Sequence, residues 1–243
     1  MIMKRLISII TLVVLPLMLH AQDLGLSFSY FIPKNGYFST PISPFSIRGL
    51  GFDITRHFAL EAGASLYRMN GLNVKDLPFE SKEPMVGPNF TIFVPVELVF
   101  QLKASQVEFD IKGGVFGFHG FSQKLNYGNI DRAIRAYQGW EVANSSFNYK
   151  NKPGWGYHAG VELTVYLNQQ FGVSIESNYL IGESSLPLTG SYVGGGPGPI
   201  QTIEAGPDFQ NAKIDFTGLE FSIGLIFSTG GGAPPKRPGN RRR

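Results

Sequence analysis

The chain has 243 residues, among them 30 glycines, 20 phenylalanines and no cysteine, and a formal net charge of +3. The missing cysteines exclude disulfide staples, thiolate chemistry and a lipid anchor on a cysteine. The positive charge sits at the ends: setting aside Lys4 and Arg5 near the start and Lys236, Arg237, Arg241, Arg242 and Arg243 near the finish leaves 14 basic against 18 acidic residues, an acidic body that argues against nucleic acid as a partner.

The first 21 residues read as a secretory signal: Lys4 and Arg5 form a basic start, Leu6 to Leu19 an apolar run broken by Pro16, and Leu19-His20-Ala21 a small-residue cleavage site. That apolar run is shorter than the ~20 residues a spanning helix needs. No later stretch holds 18 consecutive apolar residues, so no transmembrane helix is expected.

From Leu24 onward the chain alternates apolar and polar residues, the period of a strand whose successive side chains face opposite sides. The first strand is expected over 24–32, showing Leu24, Leu26, Phe28, Tyr30 and Ile32 on one face. The second runs over 46–54, with Leu50, Phe52 and Ile54 outward, and the third over 58–68, with Glu61, Gly63, Ser65 and Tyr67 inward. The fourth, over 91–101, sets Ile92, Val94, Val96, Leu98 and Phe100 against Thr91, Pro95, Glu97 and Gln101. The fifth, over 106–119, sets Val107, Phe109, Ile111 and Val115 against Glu108, Asp110, Lys112 and Gly114. The sixth (156–167) and seventh (171–181) turn His158, Gly160, Glu162, Thr164, Ser174, Glu176 and Asn178 inward. The eighth ends as Leu219, Phe221, Ile223, Leu225 and Phe227 outward against Glu220, Ser222 and Gly224. Its start near Ile214 and Phe216 is out of phase, which suggests a bulge near Gly218.

Segments of about 10 residues fit tilted transmembrane strands. The gaps alternate long and short: Thr55-Arg56-His57, Lys103-Ala104-Ser105 and Asn168-Gln169-Gln170 are tight turns, whereas 33–45, 69–90, 120–155 and 182–213 are long. Bacterial barrels have short periplasmic turns and long extracellular loops. The expected fold is therefore all-β, an eight-stranded antiparallel up-and-down transmembrane barrel over 22–229, preceded by the signal over 1–21 and followed by a basic tail over 230–243. Both mature termini are expected in the periplasm and the barrel wall against outer-membrane lipid and lipopolysaccharide. Phe52, Phe58, Phe100, Phe171 and Phe227 should form an inner aromatic girdle, and Tyr30, Tyr157 and Tyr179 an outer one.

An eight-stranded barrel has room inside only for side chains, which argues against a general porin. The candidate site is an interior polar belt of Glu61, Glu97, Asp110, Lys112, Glu162, Glu176 and Glu220, with Glu108 beside it and Arg48 and Arg68 as further inward bases. Buried charges of this kind must be paired or hydrated. The tail, with Lys236, Arg237, Arg241, Arg242 and Arg243 after a Gly- and Pro-rich spacer, is a candidate partner-binding segment. Within the third long gap, 126–140 carries the pattern of a short helix over the barrel mouth. Phe79, Phe121, Phe147, Tyr149 and Trp155 are candidate contact aromatics.

His119 and His158 fall near the outer ends of neighbouring strands, the first facing out and the second in, with Ser122 and Ser145 nearby in sequence. No carboxylate is clearly placed to orient either histidine, and no phosphate loop, zinc spacing or nucleophile elbow is present, so no catalytic residue, metal or cofactor is assigned.

With a signal ending His20-Ala21-Gln22 and phrases such as Gly51-Phe52-Asp53-Ile54 and Val94-Pro95-Val96-Glu97-Leu98, the chain resembles the small outer-membrane β-barrel families of Gram-negative bacteria, OmpA-barrel or OmpX-like and PorT-like. The resemblance covers about residues 22 to 229 and is one of pattern. It implies an outer-membrane protein, in families where some members are accessory parts of surface assembly or secretion machines. The expected role is non-enzymatic, structural or partner-binding, with the extracellular loops or the tail as the contact surface and other envelope proteins as partners. Two alternatives stand beside it: an outer-leaflet lipid A-modifying enzyme, and a narrow conduit for a solute or ion.

Overall fold

The structure, a computed structural model, describes residues 23–35 and 42–228. The signal over 1–21 and the tail over 230–243 lie outside the described residues. In chain order the elements are β1 (Asp23–Pro33), β2 (Ile42–Asp53), β3 (Phe58–Met69), β4 (Val74–Lys75), β5 (Asn89–Ala104), β6 (Val107–Phe121), α1 (Tyr127–Gln138), β7 (Val142–Tyr149), β8 (Gly154–Tyr166), β9 (Phe171–Ser185), β10 (Leu188–Gly195), β11 (Gln201–Glu204), α2 (Pro207–Gln210), β12 (Lys213–Asp215) and β13 (Gly218–Ser228).

Eight of these strands close a barrel in the order β13-β1-β2-β3-β5-β6-β8-β9, with β13 pairing back onto β9. Every neighbouring pair is antiparallel, and the closure matches Asp23 to Ser228 on one side of β13 and Phe171 to Phe227 on the other. Closure leaves no free edge, which a sheet in hydrocarbon cannot tolerate because no water is there to satisfy its amides. Outward residues stay exposed: Leu26 at 48%, Val94 at 44%, Val115 at 56%, Ile175 at 59% and Ile223 at 57%. A continuous apolar belt of this extent around a barrel whose inside is charged reverses the pattern of a soluble protein. The belt is the face the molecule offers to lipid. Among the described residues no helix is long and apolar enough to cross a membrane, and the crossing is made by strands.

Three tight connections lie at one end, joining β2 to β3, β5 to β6 and β8 to β9. The middle one is tighter than its sequence pattern suggested. Ala104 pairs with Val107, so the turn is Ser105-Gln106, and Ser105 takes a φ of 57°, the positive value that hairpin turns need to match strand twist. Pro95 sits inward in β5. The β3–β5 ladder omits the pairs between Ala62↔Val96 and Ser65↔Phe93, where Pro95 has no N–H to give.

Several sequence expectations are corrected. The second strand begins at Ile42 and carries a register shift between Ile47 and Leu50, with Gly49 at φ 69°; Ile54 lies beyond its end. The irregularity expected near Gly218 is a full break: β12 pairs with β9 and β4, and β13 starts afresh at Gly218 after Phe216 and Thr217. Arg68 faces out and is exposed.

The long connections are a folded cap. The third and fourth gaps supply a three-stranded sheet in the order β11-β10-β7, where loops were expected, so Gly194 and Gly195 are strand residues. The helix expected within 126–140 is α1. Asn126 caps its start by accepting from the Asn129 amide at 3.4 Å, and Gly139 ends it at φ 67°. Its buried face, Ile130, Ala133 and Ile134, packs with Phe147, Leu188, Tyr192 and Phe209 in one core. Phe79 and Phe147, read as contact aromatics, are buried in that core, whereas Trp155 is 69% exposed on the barrel wall.

Candidate functional site

The lumen is built in two layers. The layer nearer the tight turns is charged. Lys112, projecting inward from β6, brings its Nζ to 2.5 Å from Glu162 and to 3.7 Å from each of Glu61, Glu97 and Glu176. These carboxylates come from β8, β3, β5 and β9, so one ammonium links five consecutive strands of the barrel, β3 to β9. A second centre lies on Glu220: Arg48 Nη2 donates to its Oε1 at 2.7 Å, Tyr67 Oη donates to the same oxygen, and Asn178 Nδ2 donates to its Oε2 at 2.9 Å. Asn178 also donates to Glu176 Oε1 at 2.9 Å, which joins the two centres. Hydroxyl contacts continue the network around the wall, from Ser222 to Ser29 at 2.8 Å, Ser29 to Ser46 at 3.0 Å and Ser46 to Ser65 at 2.8 Å.

Nearest the turns, Glu108 is held by Lys103 Nζ at 3.1 Å and by the Tyr166 hydroxyl at 2.9 Å. Asp110 stands opposite Gln101 on β5 and Glu162 on β8. Thus every residue of the sequence-derived belt points inward. Lys112, Glu97, Glu162, Glu176 and Glu220 form the connected centre, Asp110 sits below it, and Glu61 lies at its more open side. The basic tail residues lie outside the described residues.

The second layer is aromatic and was missed by sequence reasoning. Phe31, Phe93, Phe116, Phe118 and Phe216 are at most 6% exposed and pack on one another: Phe31 and Phe118 stack on Phe216 with centroids at 4.7 and 4.5 Å, and Phe116 lies tilted against Phe93 at 4.8 Å. Arg48 lies 5.7 Å from the Phe93 ring, a cation over the floor of this layer. The facing wall is made of glycine so that the rings fit. A Cβ on Gly156 would stand 2.5 Å from Phe116 Cζ and meet the Ile181 carbonyl, and one on Gly154 would enter the Phe118 ring. The signal was present in the sequence: the inward series Glu108, Asp110, Lys112, Gly114 continues as Phe116 and Phe118.

His158 faces in and His119 out. Against the sequence reading, a carboxylate does stand beside His158: Glu97 Oε2 is 3.6 Å from its Nε2. Both side chains are 1% exposed, and the Phe116 ring lies 6.1 Å from the imidazole. Ser145 is spent on structure. Its amide and hydroxyl both donate to Asp131 Oδ1, at 2.8 and 2.5 Å, fastening β7 to α1. At the cap surface Lys213 donates to Glu183 at 2.8 Å and lies 3.4 Å from Asp76. The hydrogen bond to Glu183 holds its ammonium above the ordinary lysine range.

No family model matches the chain, and no curated protein matches it. Solved structures do. The chain is similar to the outer membrane protein OprG of Pseudomonas aeruginosa, at 12% identity and a TM-score of 0.48, over 86% of this chain and 96% of that one. It is also similar to the N-terminal β-barrel domain of Pseudomonas aeruginosa OprF, at 9% identity and 0.41, over 85% and 96%. The E. coli outer membrane protein W matches at 12% and 0.39, over 86% and 98%. On its own geometry, a closed eight-stranded wall with an apolar outside and a charged inside, the chain folds as a small outer-membrane-type β-barrel.

Proposed function

We propose that this is a non-enzymatic outer-membrane protein that presents its folded cap to an envelope or surface partner, with the barrel as a closed anchor. The observation that carries the reading is the filled lumen: a bonded charged layer beneath five packed phenylalanines at most 6% exposed. A lumen packed in this way supports an anchor better than a conduit. Burial of His158 and Glu97 beneath the rings weighs against lipid hydrolysis, which needs its nucleophile and base at the height of the acyl chains. A rigid scaffold that raises ordered connections above its rim is the usual arrangement for partner binding. The long connections and cap face outward and the tight turns face the periplasm, as the loop-length rule for bacterial barrels requires.

The test is cross-linked capture from the source envelope, with the full chain and with a chain in which residues 122–152 are replaced by a short Gly-Ser turn. The expected result is a reproducible set of partners captured by the full chain and lost with the cap segment. Partners that survive the replacement, or stepwise conductance of the purified full chain in planar bilayers, would overturn the proposal.

A further inference from the structure

The barrel mouth at the tight-turn end holds acidic capacity that its own lysines do not use. Asp110 Oδ1 and Gln101 Oε1 have no hydrogen-bond partner among the described residues, although the two side chains are only 6% and 5% exposed. They are cross-strand partners, so two acceptors stand side by side on adjacent strands facing the lumen. Glu162, the other neighbour of Asp110, adds a carboxylate whose nearest cation is Lys112, already shared among four acids. A buried acceptor left unbonded loses its hydration without replacement, and a buried carboxylate without a partner loses more.

The same end of the barrel is where the chain leaves it. Ser228 pairs with Asp23 and donates its amide to the Gln170 carbonyl in the β8–β9 turn. Beyond it come Gly230-Gly231-Gly232-Ala233-Pro234-Pro235 and then Lys236, Arg237, Arg241, Arg242 and Arg243, with no acidic residue among them. We infer that the Asp110–Gln101 mouth is a guanidinium-binding site and that its occupant is the chain's own arginine-rich segment, Arg237 to Arg243.

Geometry and charge fit this assignment. Eight strands spaced about 4.8 Å and tilted about 40° enclose a mouth about 16 Å across. Seven residues separate Ser228 from Lys236, eight steps with a reach of up to about 28 Å, so the basic segment spans the opening from the rim where it starts. Asp110 lies three residues inside Val107, about 10 Å along the strand from the turn at ~3.3 Å per residue; its Oδ1 is buried, so the basic segment itself enters the mouth and the side chains over Asp110 part for a guanidinium to reach it. A guanidinium presents its donors as a planar fork, which matches two adjacent acceptors better than an ammonium does. Tethering holds the segment near the mouth at millimolar effective concentration, so a weak site suffices. The inference is independent of the membrane orientation, because mouth and segment share one end of the barrel.

The chain's lack of cysteine makes a single probe clean. Asn240→Cys carrying a nitroxide, in the full chain in detergent micelles, should show a slow-motion spectral component at 20 mM salt that disappears at 1 M, where the screening length falls to about 3 Å. The same component should be lost in Asp110→Asn. It should also be lost when Arg241, Arg242 and Arg243 are changed to Glu, a variant that leaves the barrel sequence intact and so separates docking from folding. A fast-motion spectrum at low salt in the unsubstituted barrel would overturn the inference. So would a slow component that persists in Asp110→Asn, since the segment would then be docked elsewhere.

Discussion

At the scale of single residues, Lys112 decides most. Its ammonium has three protons and faces four carboxylates, with Glu162 at 2.5 Å and Glu61, Glu97 and Glu176 at 3.7 Å. Removing it leaves several buried charges without a counter-ion, the situation in which breaking a buried network costs about 3–5 kcal/mol. Lys112→Met should therefore lower the unfolding free energy by that amount, read from guanidinium titration of the barrel refolded in lipid. Adding Glu162→Gln should restore part of the loss, because it removes the nearest stranded charge. A loss below about 1 kcal/mol would mean that the other bases and lumenal water already carry the network. Alternation along each strand was enough to list the inward acids. That one lysine meets carboxylates from four strands could not be read there, because it depends on how β3 and β9 are brought together across the lumen by closure. The carboxylate beside His158 was missed for the same reason: Glu97 is 61 residues away in sequence and two strands away in the wall.

At the scale of elements, the cap is tied within itself, although its core runs on into the aromatic layer of the lumen. Asp131 on α1 takes both hydrogen bonds from Ser145 on β7, and the two elements share the core around Phe147. Hydrogen bonds to a charged group contribute about 1.5–3 kcal/mol. Asp131→Ala should cost that much locally: amide exchange over β7 should accelerate about 10- to 150-fold while the strands of the barrel stay protected. Equal acceleration in β5 and β6 would show instead that cap and barrel unfold together. The barrel strands were legible because each has a lipid face with a strict period of two. β7 was not, because in Val142-Ala143-Asn144-Ser145-Ser146-Phe147-Asn148-Tyr149 the face that Ala143, Phe147 and Tyr149 turn to the cap core is interrupted by Ser145, and the segment is made a strand by β10, some 45 residues on. The helix was legible from its local signals, Asn126 before it, Gly139 after it and an apolar stripe between.

At the scale of the whole molecule, the question is which solvent surrounds the wall. The aromatic layer inside and the aliphatic belt outside make the outer halves of several strands apolar on both faces, as in Phe90 to Phe93 and Val115 to Phe118, so the sequence there blurs which face meets lipid. Charge placed at two depths on the same outer face resolves it. Val115 is 56% exposed midway along β6, and Leu102 is 45% exposed near the Ser105 turn. In water both sites are ordinary surface, and Val115→Arg and Leu102→Arg should each shift stability by no more than about 0.5 kcal/mol. In a bilayer the cost depends on depth, about 2–4 kcal/mol at the midplane and about 0–1 near the interface. The expected outcome, measured as reversible unfolding from lipid vesicles, is a loss of about 2–4 kcal/mol for Val115→Arg and at most about 1 for Leu102→Arg. Equal costs at the two positions would place the apolar belt against something other than the core of a membrane. Arginine at Val115 enters no part of the charged interior, because Glu97 and Lys112 lie on the opposite face of their strands, so the difference between the two variants reports the surroundings of the wall alone.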